Sequence, residues 1–311
     1  MTEELRHGVL LLDKQPDWTS HDVVQKVRRL IQEKKVGHCG TLDPAATGLL
    51  VVTVGRATRL TRFLIRAPKL YEGTIRLGIA TDSYDAEGKV VAERPVEGVT
   101  LESLSAAMTA FEGAFEQLPP PFSAKKVGGV KLYELARRGE EVPQEAKTVT
   151  VFEFSPLPGV AGTALEEGSA AFRLACSSGT YARTLVHDLG ARLGCGAHLS
   201  ALRRLSVGPF QVADALTVPD LAAKLDAGAE LGAAWRPFDQ VPLPFGEVTA
   251  DSQQEQRIHH GQTVLVRDLA GAEGDWVKLI NLRRQFIAVG TVVERIGSAG
   301  VGVVQPKVVF K

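Results

Sequence analysis

The sequence predicts an α+β protein of about two domains, the second a small β barrel, and three observations lead there. Its 311 residues exceed what one hydrophobic core usually organises. Through the first two thirds of the chain, apolar runs with strand character interleave irregularly with helical periodicity. Past residue 246 only short apolar stretches remain, separated by Gly-rich turns, the pattern of a compact all-β module.

Residues 8–12 are an unbroken apolar run and read as a buried strand. From 20 to 31 the apolar positions Val23, Val24, Val27, Leu30 and Ile31 follow helical spacing, with Thr19 or Ser20 as cap. Residues 49–54 form a second apolar strand, and 57–64 a basic helix carrying Arg59 and Arg62. Residues 71–77 alternate like a strand, and 101–111 read as an amphipathic helix. Residues 149–154 and 170–176 look like a strand pair. A helix from 181 to 193 then starts after the Gly179-Thr180 turn. Residues 236–246, with Pro237, Pro242 and Pro244, read as a linker. Beyond it, 263–266, 276–280, 286–293 and 301–309 are the four barrel strands. The expected division is 1–240 and 246–311.

The stretch from about 119 to 147 differs in character. It opens with Pro119, Pro120 and Pro121 and carries Lys125, Lys126, Lys131, Arg137 and Arg138. A long basic insert of this kind is either a functional loop or a solvated charged hairpin.

The formal net charge is zero, yet it is unevenly spread. Residues 1–76 hold 13 Lys/Arg against 8 Asp/Glu, whereas 210–256 hold only Lys224 and Arg236 against eight acids. Such a chain can bind phosphate on one side. No apolar run approaches the roughly 20 residues that span a bilayer, and the acidic Met-Thr-Glu-Glu start is no signal peptide. A cytoplasmic protein is expected. Cys39, Cys176 and Cys195 are too few and scattered for a disulfide framework or zinc ribbon, and read as small buried residues. Dinucleotide fingerprints, phosphate loops and His/Cys clusters are missing from the sequence.

The most informative string is His38-Cys-Gly-Thr-Leu-Asp-Pro-Ala-Ala-Thr-Gly-Leu-Leu-Val-Val52. Taken alone, Asp43 before Pro44 looks like a helix N-cap with proline at the first helical position. The small residues around it would also let a planar substrate approach the backbone at Gly40 and Thr41. The whole string, however, resembles the motif around the catalytic aspartate of the TruB family of pseudouridine synthases. Four more stretches resemble that family in order: Gly8-Val-Leu-Leu-Leu-Asp-Lys14, Lys69-Leu-Tyr-Glu-Gly-Thr74, Ser178-Gly-Thr-Tyr-Ala-Arg183 and Gly196-Ala-His-Leu-Ser-Ala-Leu-Arg-Arg-Leu205. With Ile258-His-His-Gly261 and Pro306-Lys-Val-Val-Phe310, the C-terminal part resembles a PUA domain, an RNA-binding module.

The resemblance implies a pseudouridine synthase fold: a central mixed, mostly antiparallel sheet flanked by helices, with a thumb insertion at about 119–147 and a PUA-like barrel. It implies isomerisation of uridine 55 in the T arm of tRNA, a reaction needing no cofactor and no metal. One ionised carboxylate beside the sugar is needed, either as a nucleophile or to form and quench an electrophilic sugar. Asp43 matches it. Arg183 matches the cation that holds it, its planar fork suiting a carboxylate. Tyr71 matches the aromatic that stacks on the flipped uracil, and it either only stacks or also accepts the C5 proton. Tyr181 and Leu205 match pocket-lining residues, and His38 a histidine near the flipped nucleotides. Lys14, Lys126, Arg203, Arg204 and the basic N-terminal helices are the expected phosphate contacts. The sequence departs from the family at Lys14-Gln-Pro-Asp-Trp, where proline is displaced by one and glycine is replaced by Asp17. The implied partner is the tRNA T stem-loop, with no membrane and no obligate protein partner, and the chain is expected to be a monomer. The alternatives are a tRNA-folding chaperone acting without catalysis and a related synthase with another RNA target. A glycoside hydrolase fails, because it would normally need two carboxylates where the motif supplies one.

Overall fold

Apolar runs with β-branched residues build one ten-stranded sheet, and a second sheet of five strands follows it in the chain. The structure, a computed structural model, describes residues 6–121, 126–127, 130–131, 145–159, 165–297 and 300–310, with backbone alone at 126–127 and 130–131. In chain order the first part runs β1 (Gly8–Lys14), α1 (Ser20–Ile31), β2 (Val36–His38), β3 (Thr47–Val54), α2 (Thr61–Leu64), β4 (Lys69–Leu77), β5 (Ile79–Thr81), β6 (Val90–Glu93), α3 (Leu101–Thr109) and β7 (Gly113–Gln117). It continues with β8 (Lys126–Val127), β9 (Val130–Lys131), β10 (Lys147–Pro156), β11 (Ser169–Cys176), α4 (Ala182–Leu193), β12 (Ala197–Val207), β13 (Phe210–Gln211), α5 (Val218–Asp226) and β14 (Trp235–Pro237). The last part holds β15 (Glu247–Ala250), α6 (Ser252–His259), β16 (Val264–Val266), β17 (Trp276–Asn281), β18 (Phe286–Ile296) and β19 (Val301–Val309).

The large sheet has the order β14-β1-β3-β12-β4-β11-β10-β7, with β2 added to β3 and β13 to β12. Its only parallel pair among the described residues is β3 with β12, registered Thr47 to Arg203 and Gly48 to Arg204. This seam demands close backbone approach. A Cβ on Gly48, whose φ is +95°, would stand 2.3 Å from the Arg204 carbonyl oxygen.

Helices cover the sheet as their periodicity dictates. In α1, Val23, Val24, Val27 and Ile31 are buried, and Thr19 with Asp22 closes a capping box, worth about 1 kcal/mol. These valines pack with Leu10, Leu12, Leu50 and Val52 of β1 and β3 and with Leu221 of α5. A second core joins Leu185, Val186 and Leu189 of α4 and Leu104 and Met108 of α3 to β4, β10, β11 and β12.

Several expectations are corrected. The basic segment 57–64 is no single helix but a 3-10 turn, Gly55–Leu60, running into the short α2. The expected linker begins as β14, which pairs with β1 through Gly8↔Pro237; proline is admitted there because the strand lies at the sheet edge. The C-terminal sheet gains β15 and runs β15-β17-β18-β19-β16. The expected small barrel is there as a curled half-barrel, whose end strands β15 and β16 approach each other without pairing among the described residues. Most of the 119–147 insert, with Lys125, Arg137, Arg138 and the side chains of Lys126 and Lys131, lies outside the described residues.

Arg59 and Arg62, expected to face phosphate, are exposed and also reach across the junction of the two sheets. Arg59 sits 5.0 Å over the Phe310 ring and donates to the Val309 carbonyl at 2.6 Å. Arg62 lies over Phe63 at 4.7 Å and Trp276 at 5.0 Å. Phe238 stacks on Phe286 at 5.0 Å and meets Phe310 edge-on at 4.8 Å, all three being buried. Asp239 accepts the Phe286 N–H at 2.7 Å and fixes the approach.

Because Phe310 fills the centre of this junction, Phe310→Ala should lower stability by about 3–5 kcal/mol. The shift of the urea midpoint reads that loss; a change below about 1 kcal/mol would mean the two sheets are merely tethered.

Candidate active site

Four of the sequence stretches converge because of the strand order. β3 leaves the Asp43 loop, β12 lies beside it, β4 lies beside β12, and β11 leads into the turn before α4. Asp43 caps no helix. Ala46 N–H donates to the Asp43 carbonyl at 3.1 Å, closing a turn that enters β3 directly.

An irregular loop at this depth must satisfy its backbone groups from outside, and β1 and α1 do so. The Lys14 ammonium donates to the carbonyls of Gln15 at 3.0 Å, Trp18 at 2.7 Å and Pro44 at 2.8 Å. Asp17, with φ 65°, donates its N–H to the same Pro44 carbonyl at 3.1 Å. Aspartate tolerates this left-handed region better than most residues, which accommodates the replaced glycine. Ser20 Oγ accepts the Leu42 N–H at 2.8 Å and donates to the Leu42 carbonyl at 3.2 Å, acting as a strand neighbour would.

Arg183, in the first turn of α4, binds Asp43 through two nitrogens: Nε to Oδ2 at 3.1 Å and Nη2 to Oδ1 at 3.3 Å. Its remaining nitrogen, Nη1, reaches Asp85 Oδ2 at 3.1 Å and the Ser83 carbonyl at 3.4 Å. The guanidinium side chain is 8% exposed and Asp85 16%, whereas Asp43 is 46% exposed. The sheltered Asp85 contact is therefore the strong one, and the Asp43 contact orients a carboxylate still open to substrate. The positive end of α4 adds to the attraction.

Asp43 and Arg183 line a cavity of about 510 Å³, walled also by Gly40, Thr41, Tyr71, Tyr181, Leu202 and Arg204. That size suits a small-molecule or single-nucleotide site. Tyr71 and Arg204 are cross-strand neighbours on β4 and β12. Burial pushes the Tyr71 hydroxyl up in pKa, against the opposing pull of the adjacent Arg204. Tyr181 is fixed by its backbone: Gln117 accepts its N–H at 2.8 Å and donates to its carbonyl at 3.1 Å. Lys69 also lines the cavity, donating to the carbonyls of Ile65 at 2.5 Å and Ala67 at 2.6 Å. Burial, with repulsion from Arg204, pushes Lys69 down to about 8. Cys39, Cys176 and Cys195 are buried, and burial pushes the Cys39 thiol up to about 12 and Cys176 up to about 11.

Of the residues singled out in the sequence, Asp43, Tyr71, Arg183, Gly40, Thr41 and Tyr181 meet at the cavity. Lys14 does not reach the surface at all, being fully buried with its three donors on carbonyls, so it holds the loop and contacts no phosphate. Arg204 is likewise interior, donating to the Leu49 carbonyl at 2.7 Å and to Gly40 at 3.0 Å. Arg203 is held bidentate by Asp13 at 2.7 and 3.0 Å. Leu205 is not among the lining residues; Leu202 is, because β12 alternates and Leu202 shares the Arg204 face. His38 stands outside the cavity, where burial and Arg204 push its pKa down. The Lys126 side chain lies outside the described residues. Sequence reasoning missed Asp85, Gln117 and Lys69 as site residues. Nothing marks Asp85 or Gln117 in the sequence, and only a strand reading of Lys69-Leu-Tyr71 would have put Lys69 on the Tyr71 face.

Lys14→Met leaves the Gln15 and Trp18 carbonyls without their lysine donor and Pro44 with the Asp17 N–H alone. The loop loses a buried anchor, and stability should fall by about 1–3 kcal/mol. The slope of log RNA affinity against log salt should stay unchanged, whereas a lost phosphate contact would flatten it by about one. For Lys69, between about pH 8 and 10.5 the unfolded chain keeps a proton that the native state has released. This group therefore makes stability rise with pH across that window, and Lys69→Met should remove the rise. Urea midpoints of the two proteins from pH 7 to 11 measure it; parallel profiles would contradict the assignment.

Comparison with known proteins identifies the family. The family model described as TruB family pseudouridylate synthase (N terminal domain) matches residues 28–182, and that described as tRNA pseudouridylate synthase B C-terminal domain matches 183–241. The tRNA pseudouridine synthase B of Ralstonia pickettii (strain 12J) is 44% identical over 92% of this chain and 88% of its own. That of Solibacter usitatus (strain Ellin6076) is 42% identical over 92% of this chain and 96% of its own. Among solved structures, a Cbf5-Nop10-Gar1 complex contains a chain that superposes with a TM-score of 0.74 at 27% identity, covering 98% of this chain and 85% of that one. With both family models covering residues 28–241 and relatives of this closeness along nearly its whole length, the chain belongs to the TruB family of pseudouridine synthases.

Proposed function

We propose that this protein isomerises uridine to pseudouridine at position 55 in the T arm of tRNA, with Asp43 as the essential carboxylate. The observation that carries the reading is Asp43 itself: open to a cavity of single-nucleotide size and oriented by an otherwise buried arginine.

The N1–C1′ bond breaks, the uracil turns, and C5 joins C1′; C5 loses its proton and N1 gains one, so the product is an isomer. Asp43 acts at C1′ as a nucleophile or assists an electrophilic sugar. The uridine must leave its stack to reach the cavity, a cost of a few kcal/mol. Stacking on Tyr71 offsets it by about 1–3 kcal/mol. Tyr71 lines the cavity with Asp43, so its ring is placed to stack on the flipped base, and it is read as a stacking platform. The half-barrel is read as a PUA-like RNA-binding module, and the protein as a cytoplasmic monomer acting without a protein partner. Among the described residues no helix is long and apolar enough to cross a membrane.

Carbodiimide labelling of a T-arm transcript detects pseudouridine directly. Asp43→Asn should reduce its formation by about 10³ or more while tRNA still binds; full retention of activity would overturn the reading. Tyr71→Phe should leave turnover within about tenfold, or 1.4 kcal/mol of barrier. A loss of about 10² or more, with slow tritium release from C5-labelled uridine, would restore the base role.

A further inference from the structure

Tyr84 holds a backbone conformation that a bulky side chain rarely adopts, with φ 66°. Such a residue persists where its surroundings over-determine it. What fixes it is the His187 imidazole, stacked on the Tyr84 ring with centroids 3.7 Å apart and planes 17° from parallel. His187 lies four residues after Arg183 on α4, so both project from one face of one helix. That face grips three consecutive residues. Arg183 Nη1 holds the Ser83 carbonyl and the Asp85 carboxylate, and His187 holds Tyr84 between them.

The turn is also tied through its backbone. Leu199 N–H donates to the Tyr84 carbonyl at 3.0 Å, and Thr81 Oγ1 to the Asp85 carbonyl at 2.7 Å. Ser83 Oγ donates to Asp85 Oδ1 at 2.5 Å, leaving Oδ2 for Arg183. Neither Tyr84 nor His187 lines the cavity, so neither touches the reacting nucleotide. A guanidinium is planar, however, and fixing Nη1 fixes the plane from which Nε and Nη2 meet Asp43.

We propose that the Tyr84–His187 stack is a positioning pair for the isomerisation: it locks the turn that presents Ser83 and Asp85 to Arg183, and through Arg183 it sets the orientation of Asp43. The inference rests on the reading of Asp43 as the reacting carboxylate.

The test is single-turnover pseudouridine formation on a T-arm transcript, with tRNA affinity and thermal midpoint measured alongside. Tyr84→Gly removes the ring and also relaxes the backbone, so a role in stability alone predicts no loss of rate. Tyr84→Gly and His187→Ala should each slow the step at least tenfold with affinity within twofold. Tyr84→Phe and His187→Phe, which keep a flat ring, should stay within threefold of the parent. In an Asp85→Asn background, Tyr84→Gly should have no further effect. Parent-like rates for both Tyr84→Gly and His187→Ala overturn the proposal, as does an undiminished Tyr84→Gly effect in the Asp85→Asn background. Should Tyr84→Gly fail to fold, His187→Ala carries the test, since alanine suits a helix interior. Failure is separable from that of the underlying reading, because an inactive Asp43→Asn beside a parent-like Tyr84→Gly rejects only the stack.

Discussion

One buried cation organises the site. Arg183 is shared between two carboxylates of opposite situation, Asp85 sheltered and Asp43 open. A guanidinium buried without partners would cost several kcal/mol, and a carboxylate facing a half-closed cavity alone would have no fixed orientation. Together each removes the other's difficulty. The sheltered acid anchors the guanidinium, and the anchored guanidinium aims the open acid. Four strands and one helix have to be in place for this, since Asp43, Asp85 and Arg183 are brought together from far apart in the chain.

The loop bearing Asp43 has no regular structure of its own, so its order is borrowed. Lys14, Asp17 and Ser20 supply the donors and acceptors that a neighbouring strand would otherwise supply. This use of Lys14 bears on electrostatics as well. Lys14 and Arg204 count as positive charges in the sequence, yet both are buried with their donors on carbonyls, and Arg203 is paired with Asp13. The positive surface of the N-terminal region is left to residues such as Lys26, Arg29, Lys34, Lys35, Arg59, Arg62 and Arg66, all exposed. Charge counts along a chain therefore overstate what is available to phosphate.

The junction of the two sheets follows the same logic. Aromatic rings from both parts interlock, and the cation–π contacts of Arg59 and Arg62 bridge them. The C-terminal half-barrel is held in one orientation, with its separate core of Val, Ile and Leu side chains beneath. Any RNA contact made by the half-barrel is thus at a fixed distance from the cavity.

The sequence by itself determined the elements whose signals are local. The helical spacing and cap of α1, the apolar run of β3 and four of the five C-terminal strands were legible because burial periodicity and turn residues lie within a dozen positions. Motif resemblance carried Asp43, Tyr71 and Arg183, which the fold does bring to one cavity. Whether a given charge faces water or the interior was decided by tertiary structure. Lys14 and Arg204 look like surface cations until β1 and β12 are seen to be interior strands, and Leu205 looks like a wall until the two-residue period of β12 assigns the wall to Leu202. Asp85 and Gln117 carry no local signal, since their roles exist only in contacts with residues 98 and 64 positions away. Pairing over such distances is set by strand order, and strand order is a property of the whole sheet rather than of any one stretch of sequence.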